Sequence, residues 1–127
     1  MSIQSLILVP DPYFNEPGYQ HQYKTPGGEM ASERYNVTIM EATMKWAIIE
    51  MIKAPPECFK DAIYNHFLLK ANELKIQCEA WHKKLRSYYL KNSNEIEIKK
   101  FEVFYDSVLS KAFFKLFFMF NAYFRVY

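Results

Sequence analysis

Two cysteines and three histidines are the residues of this chain best suited to nucleophilic or metal chemistry. Cys58 follows Pro55-Pro56-Glu57 and sits in the first turn of a periodic run, where the positive end of a helix dipole favours a thiolate. Cys78 lies on an apolar stripe between Leu74 and Trp81. Neither belongs to an evident Cys-His-Asn or Cys-His-Asp grouping. Free cysteine is commonly a small buried residue, and both are read that way. Cys78 and His82 are four residues apart and share a helix face, as two metal ligands would. Cys58 and His66 are the remaining pair. On one continuous helix, however, Cys58 and Cys78 stand about 30 Å apart at 1.5 Å per residue. Structural zinc needs four converging ligands, so no metal is expected. His21 is an isolated imidazole in a loop. Gly27-Gly28 lacks the third glycine and the lysine of a phosphate loop and reads as a turn. Glu41 and Glu50 are helix-surface carboxylates with no cleft to share. The residues themselves predict no catalytic group and no cofactor.

Composition narrows the partners. The chain has 127 residues, enough for one ordinary domain, with 50% hydrophobic and 24% charged residues; that balance is not the signature of a disordered chain. A net charge of +2, with both signs well mixed, gives no phosphate-binding surface, so nucleic acid is not expected. The apolar stretch before Pro10 has no basic leading segment, and two cysteines are too few for a disulfide scaffold. Both point to a reducing, intracellular and cytoplasmic setting. The Asn36-Val37-Thr38 sequon is then a chance match.

Elements that must position these residues follow from periodicity. Residues 2–9 end in an apolar run that is either a buried strand or the last turns of a buried helix. Pro10 ends it. From Pro10 to Gly28 a long loop rich in proline and glycine carries Tyr13, Phe14, Tyr19 and Tyr23, aromatics able to pin it to a neighbour. A helix is predicted with Ser32 as N-cap and Glu33 in its first turn. Its apolar face is Met40, Met44, Ala47, Ile48, Met51 and Ile52, widened by Ile39 and Trp46. Ala54-Pro55-Pro56 breaks it, and Pro56 is placed to open the next helix. Phe59, Ile63, Phe67, Ala71, Leu74, Cys78, Trp81 and Leu85 then step by three or four residues, on one long helix or two with a bend near 70–73.

Residues 91–94 read as a linker, and residues 95–98 as a short strand or the start of another helix. Eight of the eleven phenylalanines fall from Phe101 to Phe124. The apolar stretch Leu116–Phe120 is far short of the ~20 residues a membrane span needs, and aromatics all round leave no polar face for a surface helix. Membrane association is therefore not expected. A core or interface helix is one reading of this tail. A terminus foreign to the rest of the domain is the other.

Several motifs carry a resemblance. Ser2–Ile7 followed by Pro10-Asp11-Pro12, then Pro12-Tyr13-Phe14-Asn15-Glu16-Pro17-Gly18-Tyr19, resembles the ubiquitin-conjugating (E2, UBC core) family, above all the giant inhibitor-of-apoptosis E2/E3 hybrid type. Glu33-Arg34-Tyr35-Asn36, residues 42–47, residues 58–60, residues 66–70 and residues 77–81 continue it. It covers residues 2 to about 90. The resemblance implies a mainly α chain, the C-terminal helical portion of the α+β UBC fold. The N-terminal helix, the meander sheet, the catalytic cysteine and the His-Pro-Asn element would all lie before Met1. The domain reading is 1–91 for this UBC portion and 92–127 for the aromatic tail. The family transfers ubiquitin from a cysteine thioester to lysine, and Cys58 and Cys78 match non-catalytic positions. Ubiquitin, E1 and E3 are the implied partners. Ser5 on the central helix, and Asn15 and Glu16 in the gate loop, are the positions implied to face donor ubiquitin. The reading outside catalysis is a helical module whose apolar faces bind another protein.

Overall fold

The computed structural model describes residue 6 and residues 8–106. They contain helices and turns and no strand, and they divide into two compact units between Ala42 and Thr43. The choice between strand and helix for residues 2–9 lies largely outside the described residues, as does everything in the tail after residue 106.

The first unit is a folded loop packed on a helix. Two 3-10 turns, Pro12–Asn15 and Gln20–Gln22, precede α1, Pro26–Ala42, and both contact it. Gly18 turns the chain between them with φ +91°, a conformation glycine adopts without a Cβ penalty. α1 begins seven residues before the predicted start. Thr25 Oγ1 accepts the Gly28 N–H at 3.1 Å, Pro26 occupies the first helical position and Glu29 sits in the first turn. Threonine before proline is thus the true cap, and its hydroxyl satisfies an otherwise unpaired helix N–H. Ser32 is not a cap but a buried residue inside α1. Gly27 and Gly28 do not form a turn either; they belong to the first turn of the helix. A Cβ on Gly28 would collide with the Gln22 carbonyl oxygen, so glycine lets the preceding turn approach the helix backbone.

The second unit opens with a π-helix, Thr43–Glu50, closed by an α turn, Met51–Lys53. Wider winding changes which residues face inward. Met44, Ile49 and Ile52 are fully buried and Ile48 nearly so, whereas Ala47 and Met51, expected on the apolar face, are exposed. A five-residue step aligns Met44 with Ile49, which a strict α pattern does not. The chain breaks at Ala54. Pro56 caps the 3-10 turn Glu57–Phe59 from outside rather than starting a helix. Two helices follow with a break at Lys70: α2, Lys60–Leu69, and α3, Ala71–Asn92. Phe67, Cys78 and Leu85 of the predicted stripe are buried, but Phe59 is 62% exposed. α4 spans residues 95–106, with Asn94 Oδ1 accepting the Glu97 N–H at 3.0 Å as its cap. That resolves the strand-or-helix choice for residues 95–98. No helix among the described residues is long and apolar enough to cross a membrane.

Candidate functional site

The loop side of the first unit is built around α1. Ser32 Oγ donates to Asp11 Oδ1 at 3.0 Å, and Asn36 Nδ2 donates to the Pro10 carbonyl at 2.9 Å. These residues are 21 and 26 apart in sequence, so each bond fixes where the loop lies along the helix. A hydrogen bond to a carboxylate is stronger than a neutral one, which suits Ser32 for the anchor. Asn36, the sequon residue, is held by this bond within a helix.

Aromatic packing fills the space between. Phe14 is buried and meets Tyr23 edge-on with centroids 5.2 Å apart. Tyr13 stacks on Tyr19 at 4.6 Å, lies 6.0 Å from Tyr35 of α1, and donates its hydroxyl to Gln22 Oε1 at 3.3 Å. Edge and offset arrangements of this kind add about 0.5–1.5 kcal/mol each beyond area burial. Of the aromatics expected to pin the loop to a neighbour, Tyr13 reaches Tyr35 of α1, whereas the rings of Phe14, Tyr19 and Tyr23 pack within the loop and Tyr19 and Tyr23 are exposed.

This packing leaves an open depression of about 620 Å³ lined by Val9, Pro10, Asp11, Phe14, Asn15, Gln20 and Tyr23. Asn15 stands on its rim. Its Nδ2 donates to the Leu6 carbonyl at 2.9 Å, leaving its side-chain amide tied across nine residues. Glu16 is the next residue and is exposed; its backbone N–H reaches the Tyr13 carbonyl at 3.4 Å, and its carbonyl accepts from Tyr19 at 3.2 Å. The structure therefore places Asn15 and Glu16 together on one ordered turn. Ser5 lies outside the described residues. The sequence marked Ser32 as a cap, Asn36 as a chance sequon and Asp11 as part of a proline turn, so their roles in anchoring the loop were not read from it, and Gln20 was not singled out at all. An aspartate between two prolines was the available signal for a specifically held turn.

Thiol chemistry has little support in the second unit. Burial, with a smaller contribution from Glu79, pushes the Cys78 thiol up to about 11. Only roughly one molecule in 10⁴ would carry the thiolate at pH 7, and the thiolate is the nucleophile. Cys58 is exposed, contrary to the core reading, because it lies in the 3-10 turn before α2 rather than on the stripe. Among the described residues no group of three or more His, Cys, Asp or Glu side chains could hold a metal ion.

The mainly α architecture is that of the C-terminal helical part of a UBC fold, and comparison with known proteins identifies the chain as a homologue of ubiquitin-conjugating enzymes. Over 88 residues, 69% of this chain, it is 50% identical to the dual E2 ubiquitin-conjugating enzyme/E3 ubiquitin-protein ligase BIRC6 of Mus musculus and 49% identical to that of Homo sapiens. Over 81 residues, 64% of the chain, it is 46% identical to probable ubiquitin-conjugating enzyme protein 17 of Caenorhabditis elegans. The matched stretch spans 2% of the length of each BIRC6 protein and 11% of the nematode one. No protein-family model matches the chain.

Proposed function

We propose that these 127 residues supply the C-terminal helical part of an E2 domain and do not form a ubiquitin thioester by themselves. The 50% identity over 88 residues carries the family half of this reading. The inactivity half rests on chemistry: the sequence contains no His-Pro-Asn element, one thiol is buried, and the family resemblance implies a non-catalytic position for Cys58. In this reading Asn15 and Glu16 belong to the surface that meets donor ubiquitin, E1 and E3 engage segments other than these, and the setting is intracellular.

The test is incubation of the purified polypeptide with E1, ATP and ubiquitin. No reducible adduct is expected. An adduct that forms and is lost in Cys58→Ser would sink the inactivity claim.

A second reading is favoured by the exposed apolar side chains of the second unit, among them Leu69 at 85% and Ile76 at 68%. Here the chain is a helical interaction module, and those faces bind a protein. It calls for a complex that melts cooperatively; a chain that stays monomeric and binds nothing fails it.

A further inference from the structure

The junction between α3 and α4 concentrates titratable groups that the E2 reading does not use. His82 of α3 lies flat against Tyr105 of α4, with centroids 3.5 Å apart and planes 18° from parallel. Its ring is also near-parallel to Phe101, at 5.5 Å and 20°. Phe101 is buried and stacks on Tyr89 of α3 at 5.0 Å. Thus a histidine ring forms part of the aromatic contact that holds the two helices together. Arg86 Nε donates to Glu102 Oε1 at 3.3 Å beside it.

We propose that this contact is a pH-sensitive clasp: α4 is held on α3 while His82 is uncharged and loosens when His82 takes a proton. A protonated ring would gain from the faces of Tyr105 and Phe101 and from the carboxylates of Asp106 and Glu102. Against this stand the loss of water around the charge and the Arg86 guanidinium. Desolvation is the largest of these effects, and together they hold His82 below its ordinary value near 6.5. Cys78 and Tyr105, also at the junction, are both pushed toward their neutral forms by burial, so neither adds a charge near pH 6.

The sign follows from proton linkage. A base that binds its proton more weakly when folded gives full stability above its unfolded value. That stability declines as pH falls from about 6.5 through the folded value. Histidine is the side chain whose ordinary value places such a change in this range.

Amide hydrogen exchange on the whole chain tests this, with rates corrected for the intrinsic pH effect. Between pH of about 7.5 and 5.0, protection across residues 95–106 should fall relative to that of α1. The loss at pH 5.0 should rise with the factor by which folding weakens the proton affinity of His82, up to a ceiling of about 30-fold set by its ordinary value near 6.5. His82→Phe keeps a flat ring without the proton site and should hold its protection at the lower pH. The double variant Glu102→Gln/Asp106→Asn should still lose protection. Proton NMR of the wild type should show His82 titrating below the value it has in urea. The clasp is overturned by protection that is equal at both pH values, by a loss that persists in His82→Phe, or by one that vanishes in the double carboxylate variant. If His82→Phe does not fold, the NMR titration decides alone: a folded value at or above the unfolded one rules the clasp out.

Discussion

The two units are stabilised by different means. In the first, side-chain hydrogen bonds across 21 and 26 residues tie a turn-rich loop to α1 and one across nine joins it to Leu6, while the buried hydrophobic residues among those described are Phe14 and Val37. In the second, Met44, Ile49, Ile52, Leu85 and Cys78 are all but sealed from water. Burial of a large aliphatic side chain contributes about 1.5–3 kcal/mol and is indifferent to direction. A hydrogen bond contributes about 1 kcal/mol net but fixes geometry. The contrast teaches a division of labour. The loop that carries Asn15 and Glu16 is held by directional bonds. Helices whose role is to pack are held by area.

The sharpest way to break this comparison is to remove area where it matters most. Leu85→Ala deletes a fully buried side chain from α3 and should cost about 2–5 kcal/mol, read as a lower urea midpoint for the second unit. A loss below 1 kcal/mol would mean that the packing there is loose and the contrast overstated. Gly28→Ala attacks the first unit through shape instead. The added methyl meets backbone, which cannot rotate away as a side chain could. The expected loss is about 1–3 kcal/mol, with the loop shifting off α1. Unchanged stability, with unchanged shifts for Tyr13 and Phe14 in NMR spectra, would show that the turn relaxes freely.

Much of the second unit was legible in the sequence, because helices announce themselves by period. The stripe through Phe67, Cys78 and Leu85 was readable, and so was the bend near residue 70. What failed there was winding: the π turn moved Ile49 inward and Ala47 outward, and a fixed 3.6-residue period cannot register that change. The first unit was less legible. Its aromatics marked a pinned loop, but Ser32 read as a cap because serine before a periodic run usually is one. The bond it makes instead reaches Asp11, and no local pattern encodes a partner 21 residues away. Thr25-Pro26 was the better start signal, but the Gly27-Gly28 that follows it read as a turn. The resemblance placed Asn15 and Glu16 on a loop, yet the bond from Asn15 to Leu6 that orders the turn was visible only in three dimensions.

A smaller effect sharpens the first half of the comparison. Ser32→Ala removes the donor to Asp11 at a buried position within α1, while alanine suits the helix better than serine. The net loss should be about 1 kcal/mol in denaturant unfolding, with faster amide exchange in residues 11–16 than in α2. Equal exchange in both would mean that the loop is held by its aromatics and that the directional bonds are secondary.

The smallest expected effect concerns the polar bond that joins α3 to α4. Arg86 and Glu102 face solvent with side chains 52% and 41% exposed, so water and salt screen their attraction. A double-mutant cycle with Arg86→Ala and Glu102→Ala should give a coupling of about 0.2–1 kcal/mol, shrinking further in 1 M salt. Compared with Leu85, such a pair contributes little because neither partner leaves water. If the coupling exceeded about 2 kcal/mol and survived salt, α4 would be held by charge rather than by the Phe101 and Tyr105 rings. The second unit would then depend on directional bonds as the first does, and the division between the two would fall.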